Sequence, residues 1–75
     1  HEPRSALISK ENGLSDLKKI IVDAYGYLKV NGVLILEHGI GQEEPLKQKM
    51  LNNSYKKIEL IKDLNGINRF IVGFK

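Results

Sequence analysis

From Asn31 to Gln42 the chain reads Asn-Gly-Val-Leu-Ile-Leu-Glu-His-Gly-Ile-Gly-Gln. Four consecutive apolar residues run from a turn into a carboxylate and an imidazole, and then into two glycines. A short apolar run bounded by turn residues predicts a buried strand over 33–37 with both faces covered. The polar residues that follow it sit where open α/β sheets hold their ligands, outside the carboxyl ends of the strands. Glu37, His38 and Gln42 are therefore the candidate site residues of this stretch.

The segments on either side carry helical patterns. Leu14, Leu17, Ile20, Ile21, Ala24, Tyr25 and Leu28 fall at helical spacing and predict one apolar stripe. Ser15 is a candidate N-cap, and Lys29 suits the negative end of the helix. Asn31-Gly32 tolerates the left-handed geometry that ends a helix. Downstream, Gln42-Glu43-Glu44-Pro45 has the composition of a first turn and opens a helix to about Asn52, with Leu46, Met50 and Leu51 inward. Residues 55–62 and 69–74 then read as a hairpin closed by Asp63-Leu64-Asn65-Gly66, with Ile58 and Leu60 on one face. Asp63 and Arg69 flank that turn and are expected to pair across it.

The expected order is helix, strand, helix, strand, strand, in an α/β unit spanning 14–75. A strand–helix–strand unit of this length forms a parallel crossover. Inserting the last strand between the other two then gives a mixed three-stranded sheet. Residues 1–13 show no period, contain Pro3, and are expected to form a loop or arm.

With 75 residues there is room for one small domain, burying about 60% of its unfolded surface. There are no cysteines, which excludes disulfides and thiolate zinc sites and suits a reducing compartment. No apolar run approaches the roughly 20 residues of a membrane span. The first residue is His, not Met, as expected of a cut piece of a longer chain, a processed product or a chain that keeps a tag remnant. Net charge is +3, from 12 basic and 9 acidic residues scattered in ones and twos, the pattern of a solvated surface. Tyr25, Tyr27 and Tyr55 are expected to pack in the core or at its rim.

Chemistry is sparse. Glu37 and His38 are the one adjacent acid–imidazole pair and could act as a base or as metal ligands. A metal needs three or four ligands, and the only other histidine is His1, so no metal site is expected. Gly39-Ile40-Gly41 lacks a full phosphate-binding fingerprint, and Glu43-Glu44 would repel an anion there. No serine or cysteine stands in a nucleophile motif.

The central strand poses a problem. Its two helical neighbours cover one face more easily than two, and its outer edge has no evident partner. The chain looks like part of a larger sheet. On that reading Ile35→Asp is expected to abolish folding, because one face or the other must bury the position.

Several short motifs, taken in order, resemble the C-terminal part of the release factor glutamine methyltransferase (HemK/PrmC) family. They are Glu2-Pro3 with Ala6-Leu7, Gly13-Leu14, Glu37-His38-Gly39 with Gln42, and Asp63-Leu64 with Gly66 and Arg69. None is specific alone; the ordered set covers essentially the whole chain. Val30-Asn31-Gly32 departs from the Pro-Gly-Gly common in the family.

The resemblance implies part of a class I S-adenosylmethionine-dependent methyltransferase sheet of Rossmann-like type. Residues 33–37 would be its fifth strand, and the hairpin its sixth and seventh, with the seventh between. The activity implied is methylation of the glutamine amide in the Gly-Gly-Gln loop of peptide chain release factors, in the cytoplasm. The family's glycine-rich cofactor loop and Asn-Pro-Pro-Tyr motif do not occur here, so no catalytic or cofactor-binding residue is inherited. Glu2, Pro3, Glu37, His38 and Gln42 are then expected to line or support a pocket completed by other residues. The isolated chain is expected to be inactive and able to self-associate. The competing expectation is a free-standing small α/β module that binds RNA or a ribosomal partner.

Overall fold

The computed structural model describes residues 5–8 and 13–75. In chain order the elements are β1 (Ser5–Ile8), α1 (Leu14–Tyr27), β2 (Val33–Glu37), α2 (Glu43–Asn52), β3 (Lys56–Lys62) and β4 (Asn68–Phe74). They build one mixed sheet in the order β1-β2-β4-β3. The last strand inserts between β2 and β3 and runs antiparallel to both, so β2 and β3 are parallel to each other.

The sheet has four strands where three were expected. Ser5–Ile8, read above as part of a loop or arm, pairs in parallel with β2, from Ser5 opposite Val33 to Ile8 opposite Leu36. This strand supplies the outer-edge partner that β2 lacked. Four residues are too few to show a period, and only the exposed edge of β2 makes them a strand.

Both helices lie on the same side of the sheet. Leu17, Ile21 and Leu28 from the first helical segment, Leu46 and Met50 from α2, Leu34 and Leu36 from β2, and Ile71 from β4 form one buried core with Tyr55. Ala6, Ile8, Ile20, Ala24, Tyr25 and Ile58 pack around it. In the strand register, Leu34 and Leu36 stand beside Gly73 and Ile71, all on the helix side. The opposite face carries Leu7, Val33, Ile35, Phe70, Val72 and Phe74, and no described element covers it. Leu7 at its edge is 67% exposed, whereas Val72, flanked by strands on both sides, is 6% exposed. Within this chain β2 is covered on one face and not on both, the shortfall its two helical neighbours implied: its burial alternates, with Leu34 and Leu36 buried and Val33, Ile35 and Glu37 half-buried. An apolar run does not need two covers to form a strand, but leaving one face bare forgoes about 1.5–3 kcal/mol for each large side chain that could be buried.

Local signals explain most boundaries. Asn31 adopts φ 68°, the left-handed geometry expected of the Asn-Gly turn. The first helix departs from expectation at both ends. Gly13, not Ser15, occupies its N-cap, without a side-chain cap. At its other end Lys75 replaces Lys29: the Lys75 Nζ donates to the carbonyls of Tyr25 at 2.7 Å and Leu28 at 2.8 Å. A cation supplied from 47 residues away thus satisfies carbonyls that a helix end leaves unpaired. In α2 Leu46 and Met50 are buried as expected, but Leu51 is 51% exposed.

Tyr55 joins the two layers. Its hydroxyl donates to the Ile21 carbonyl at 2.7 Å, and its ring meets Tyr25 edge-on at 5.1 Å between centroids. Burial, with a smaller contribution from Tyr25, pushes the Tyr55 phenol from its ordinary 10 up to about 12. The unfolded chain releases this proton first, so its stabilisation is complete below about pH 10 and is lost as pH rises toward 12. Ultraviolet difference titration is expected to show one tyrosine ionising near pH 12 and to lose that step in Tyr55→Phe.

Candidate functional site

The carboxyl end of β2 meets the β3–β4 turn because β4 runs back along β2, with Phe70 opposite Glu37. The His38 N–H donates to the Arg69 carbonyl at 2.9 Å and so extends this pairing one residue beyond the strand. The alternation of faces continues with it: Glu37 is half-buried on the uncovered face, and His38 is fully buried. Adjacent in sequence, the acid and the imidazole are divided between the two faces, so they do not form a catalytic dyad.

The loop that follows is held by its own side chains. His38 Nδ1 donates to the Gly39 carbonyl at 2.8 Å. The Gly39 N–H donates to Gln42 Oε1 at 2.8 Å, and the Gln42 N–H turns back to the Gly39 carbonyl at 3.3 Å. Gly41 takes φ 83°, a left-handed turn suited to glycine. Gln42 occupies the N-cap of α2, but its side chain holds Gly39 and makes no cap bond to the helix. Of the expected site residues, the fold brings Glu37, His38 and Gln42 to one strand end, with His38 and Gln42 fastening the loop. Glu2 and Pro3 lie outside the described residues.

Glu43, read in the sequence only as part of a helix start, and Asn68, not singled out there, also join this end. The Glu43 carboxyl is held below the usual range, first by its own backbone N–H and against a desolvation penalty, with further help from the Asn68 side chain, His38 and the Gly41 backbone. Its position in a helix's first turn, one residue after Gln42, is the one sequence signal that could have pointed to it. Two apolar side chains project from the same end of the sheet, Ile40 at 74% exposure and Leu64 fully exposed. Among the described residues no cluster of three or more His, Cys, Asp or Glu could hold a metal ion. No described helix is long and apolar enough to cross a membrane.

The hairpin turn is tied as expected. Asp63 Oδ1 accepts from the Asn65 and Ile67 N–H groups at 2.8 and 3.1 Å, and Oδ2 accepts from Arg69 Nε at 2.9 Å. The Arg69 guanidinium, followed by the Ile67 N–H, holds the Asp63 carboxyl below its usual range. Its contribution to stability is therefore present above the unfolded carboxylate range and is lost as pH falls through the lowered value. NMR titration of the side chain is expected to show this depressed midpoint, and Arg69→Ala is expected to move it back upward.

No protein-family model matches the chain. Curated proteins do. The chain is 40% identical over 73 residues to a release factor glutamine methyltransferase of Haemophilus influenzae, and 43% over 72 residues to that of Coxiella burnetii. It is 42% identical over 72 residues to a bifunctional methyltransferase of Rickettsia felis. These alignments take in 97%, 96% and 96% of the chain, but 25%, 26% and 14% of the three relatives. The chain thus spans about a quarter of the length of the first two, and the match falls in the C-terminal portion of release factor glutamine methyltransferases.

Proposed function

We propose that this chain, related over nearly all its length to the C-terminal portion of release factor glutamine methyltransferases, is the C-terminal part of such an enzyme. The parent would act in the cytoplasm, moving a methyl group from S-adenosylmethionine to the glutamine side-chain amide of the Gly-Gly-Gln loop of peptide chain release factors. The observation that carries this reading is the identity to named relatives across 96–97% of the chain.

The architecture supports it. The order β2-β4-β3, with the last strand inserted antiparallel, is the arrangement the resemblance expects of fifth, seventh and sixth strands. The bare apolar face of the sheet has a ready covering in the three-quarters of the relatives' length that this chain does not span. Association of the isolated chain with itself would use the same face.

The residues present do not fit the cofactor. In the loop after β2, the Gly39 N–H and carbonyl are both engaged by His38 and Gln42, so neither is left to cradle a ligand. The half-buried Glu37 faces the uncovered side. No catalytic step is therefore assigned to this chain. Its contribution is the rigid far end of the sheet, on which a pocket built by other residues would be oriented, and such orientation is a major source of rate in direct group transfer.

Fragment complementation tests the reading. Alone, neither this chain nor the preceding polypeptide of the parent should transfer methyl groups to a Gly-Gly-Gln peptide. Mixed or co-expressed, the two are expected to form a complex and to do so. Micromolar binding of S-adenosylmethionine by the 75 residues alone, measured by calorimetry, would overturn the assignment of a supporting role.

A further inference from the structure

β3 begins with two adjacent lysines, which a regular strand would send to opposite faces of the sheet. The register departs from that pattern. Lys56 stands opposite Phe74 and Glu59 opposite Val72, so three steps along β3 match two along β4. Lys57 and Ile58 share the place opposite Gly73, and β3 bulges there. Ile58 packs against the core, which leaves Lys57 as the extra residue. Its φ is 52°, in the left-handed region that bulges usually give to glycine. Backbone held in such a conformation by a residue with a side chain is strained, and strain of this kind gathers at ligand sites.

The bulge brings both lysines to one cavity. Its volume is about 310 Å³, and Asn31, Lys56, Lys57, Phe74 and Lys75 line it, with no aspartate or glutamate among them. It lies at the amino end of β2, at the other end of the sheet from Glu37, His38 and Gln42. Lys75 is not a free cation, because its Nζ is committed to the Tyr25 and Leu28 carbonyls. Lys56 and Lys57 are exposed, and among the described residues neither makes an ion pair. Phe74, half-buried at the margin of the uncovered face, gives the cavity an aromatic wall. Asn31 adds an amide, on a turn fixed by its φ of 68° and by its N–H, which donates to the Lys75 carbonyl at 3.2 Å.

Two ammonium groups without a carboxylate favour an anion, and lysine binds phosphate as a point charge. The cavity is larger than a phosphate group alone would fill and reaches the size, about 300 Å³ and above, of sites for small organic ligands. Cations beside an aromatic ring hold a nucleotide by its phosphate and its base together. We propose that this cavity binds a nucleotide, with Lys56 and Lys57 on the phosphate, Phe74 against the base and Asn31 at the base edge. A free nucleotide and one unit of an RNA strand present the same phosphate and base. This inference does not rest on the methyltransferase reading.

The test uses the full-length parent protein and four probes: inorganic phosphate, uridine, uridine 5′-monophosphate and hexauridylate. Uracil keeps the probes unlike the adenosine of S-adenosylmethionine. Calorimetry should show saturable binding of the monophosphate, with phosphate and uridine each about tenfold weaker or more, the effect of losing the base contact or the charge contact. A hexamer no tighter than the monophosphate identifies a free nucleotide as the ligand. A tighter hexamer identifies a strand, and each lysine removed should then lower the slope of log affinity against log salt by about 0.7. Lys57→Gly should weaken binding about tenfold while keeping or raising the melting temperature, because glycine relieves the left-handed position. Lys56→Gln, which leaves the bulge residue untouched, should weaken binding by a similar factor. Absence of saturable binding by both uridine monophosphate and hexauridylate, an affinity that neither variant changes, or uridine binding as tightly as its monophosphate would each overturn the proposal. These readouts involve no methyl transfer, so their failure is distinguishable from failure of the proposed function.

Discussion

Leu36→Asp should abolish cooperative folding of this chain, while Ile35→Asp, one residue away, should leave it folded and prevent it from joining the rest of its parent. Leu36 is completely buried beneath the helices, and Ile8 and Ile71 stand opposite it on the flanking strands. Truncation to Ala there would cost about 2–5 kcal/mol, and an uncompensated buried carboxylate costs more. A chain of 75 residues has a total stability of only about 4–11 kcal/mol, at roughly 0.05–0.15 kcal/mol per residue. One aspartate at position 36 is therefore enough to remove most or all of it.

Ile35 stands between Leu7 and Val72 on the uncovered face and is only half-buried. A carboxylate there keeps its water, so the sequence expectation that Ile35→Asp abolishes folding is revised: the damage moves from folding to assembly. Circular dichroism melts of the two variants, followed by complementation with the preceding polypeptide, separate the faces. Equal loss of folding in both variants, or normal complementation by Ile35→Asp, would count against a bare face that awaits the rest of the protein.

The second large effect is expected at Gly73, where β4 passes beneath α2. A Cβ placed there would lie 2.7 Å from Met50 Sδ and 3.1 Å from Tyr55 Cδ2. The methionine can shift, but it is fully buried and has little room. The tyrosine ring is pinned by its 2.7 Å hydrogen bond to Ile21. Overpacking of this kind costs about 1–3 kcal/mol for Ala, and Val should be worse. At about 4–8 °C per kcal/mol for a domain this small, Gly73→Ala should lower the melting temperature by roughly 4–24 °C. Adding Met50→Val, which withdraws the sulfur, should recover part of the loss by relieving the nearest contact. No recovery in the double variant would place the strain on Tyr55.

Several parts of the fold were legible because a local pattern and the final environment agree. The stripe from Leu14 to Leu28, the Asn31-Gly32 turn, the limits of β2 and the Asp63–Arg69 tie all depend on neighbours within a few residues. Other parts were not legible because the deciding atoms are distant in sequence. Ser5–Ile8 is a strand because β2 has an edge to fill. The end of α1 is closed by Lys75, the last residue of the chain. The closeness of Gly73 to Met50 exists only once β4 has slid between β2 and β3 under α2.

At the candidate site the residue types were readable and their roles were not. Glu37-His38 looked like a pair in sequence; alternation about the strand sends the two to opposite faces, and only the position of the helices decides which face is dry. Gln42 could be read as belonging to a helix start, but not as the acceptor that holds Gly39. Periodicity and turn chemistry, which act over one to four residues, thus determined the elements from α1 to β4 and their order, but not β1. Which edge is paired, which face is covered, and which polar atoms are shut away from water depend on contacts between segments tens of residues apart, and these only the tertiary structure decided.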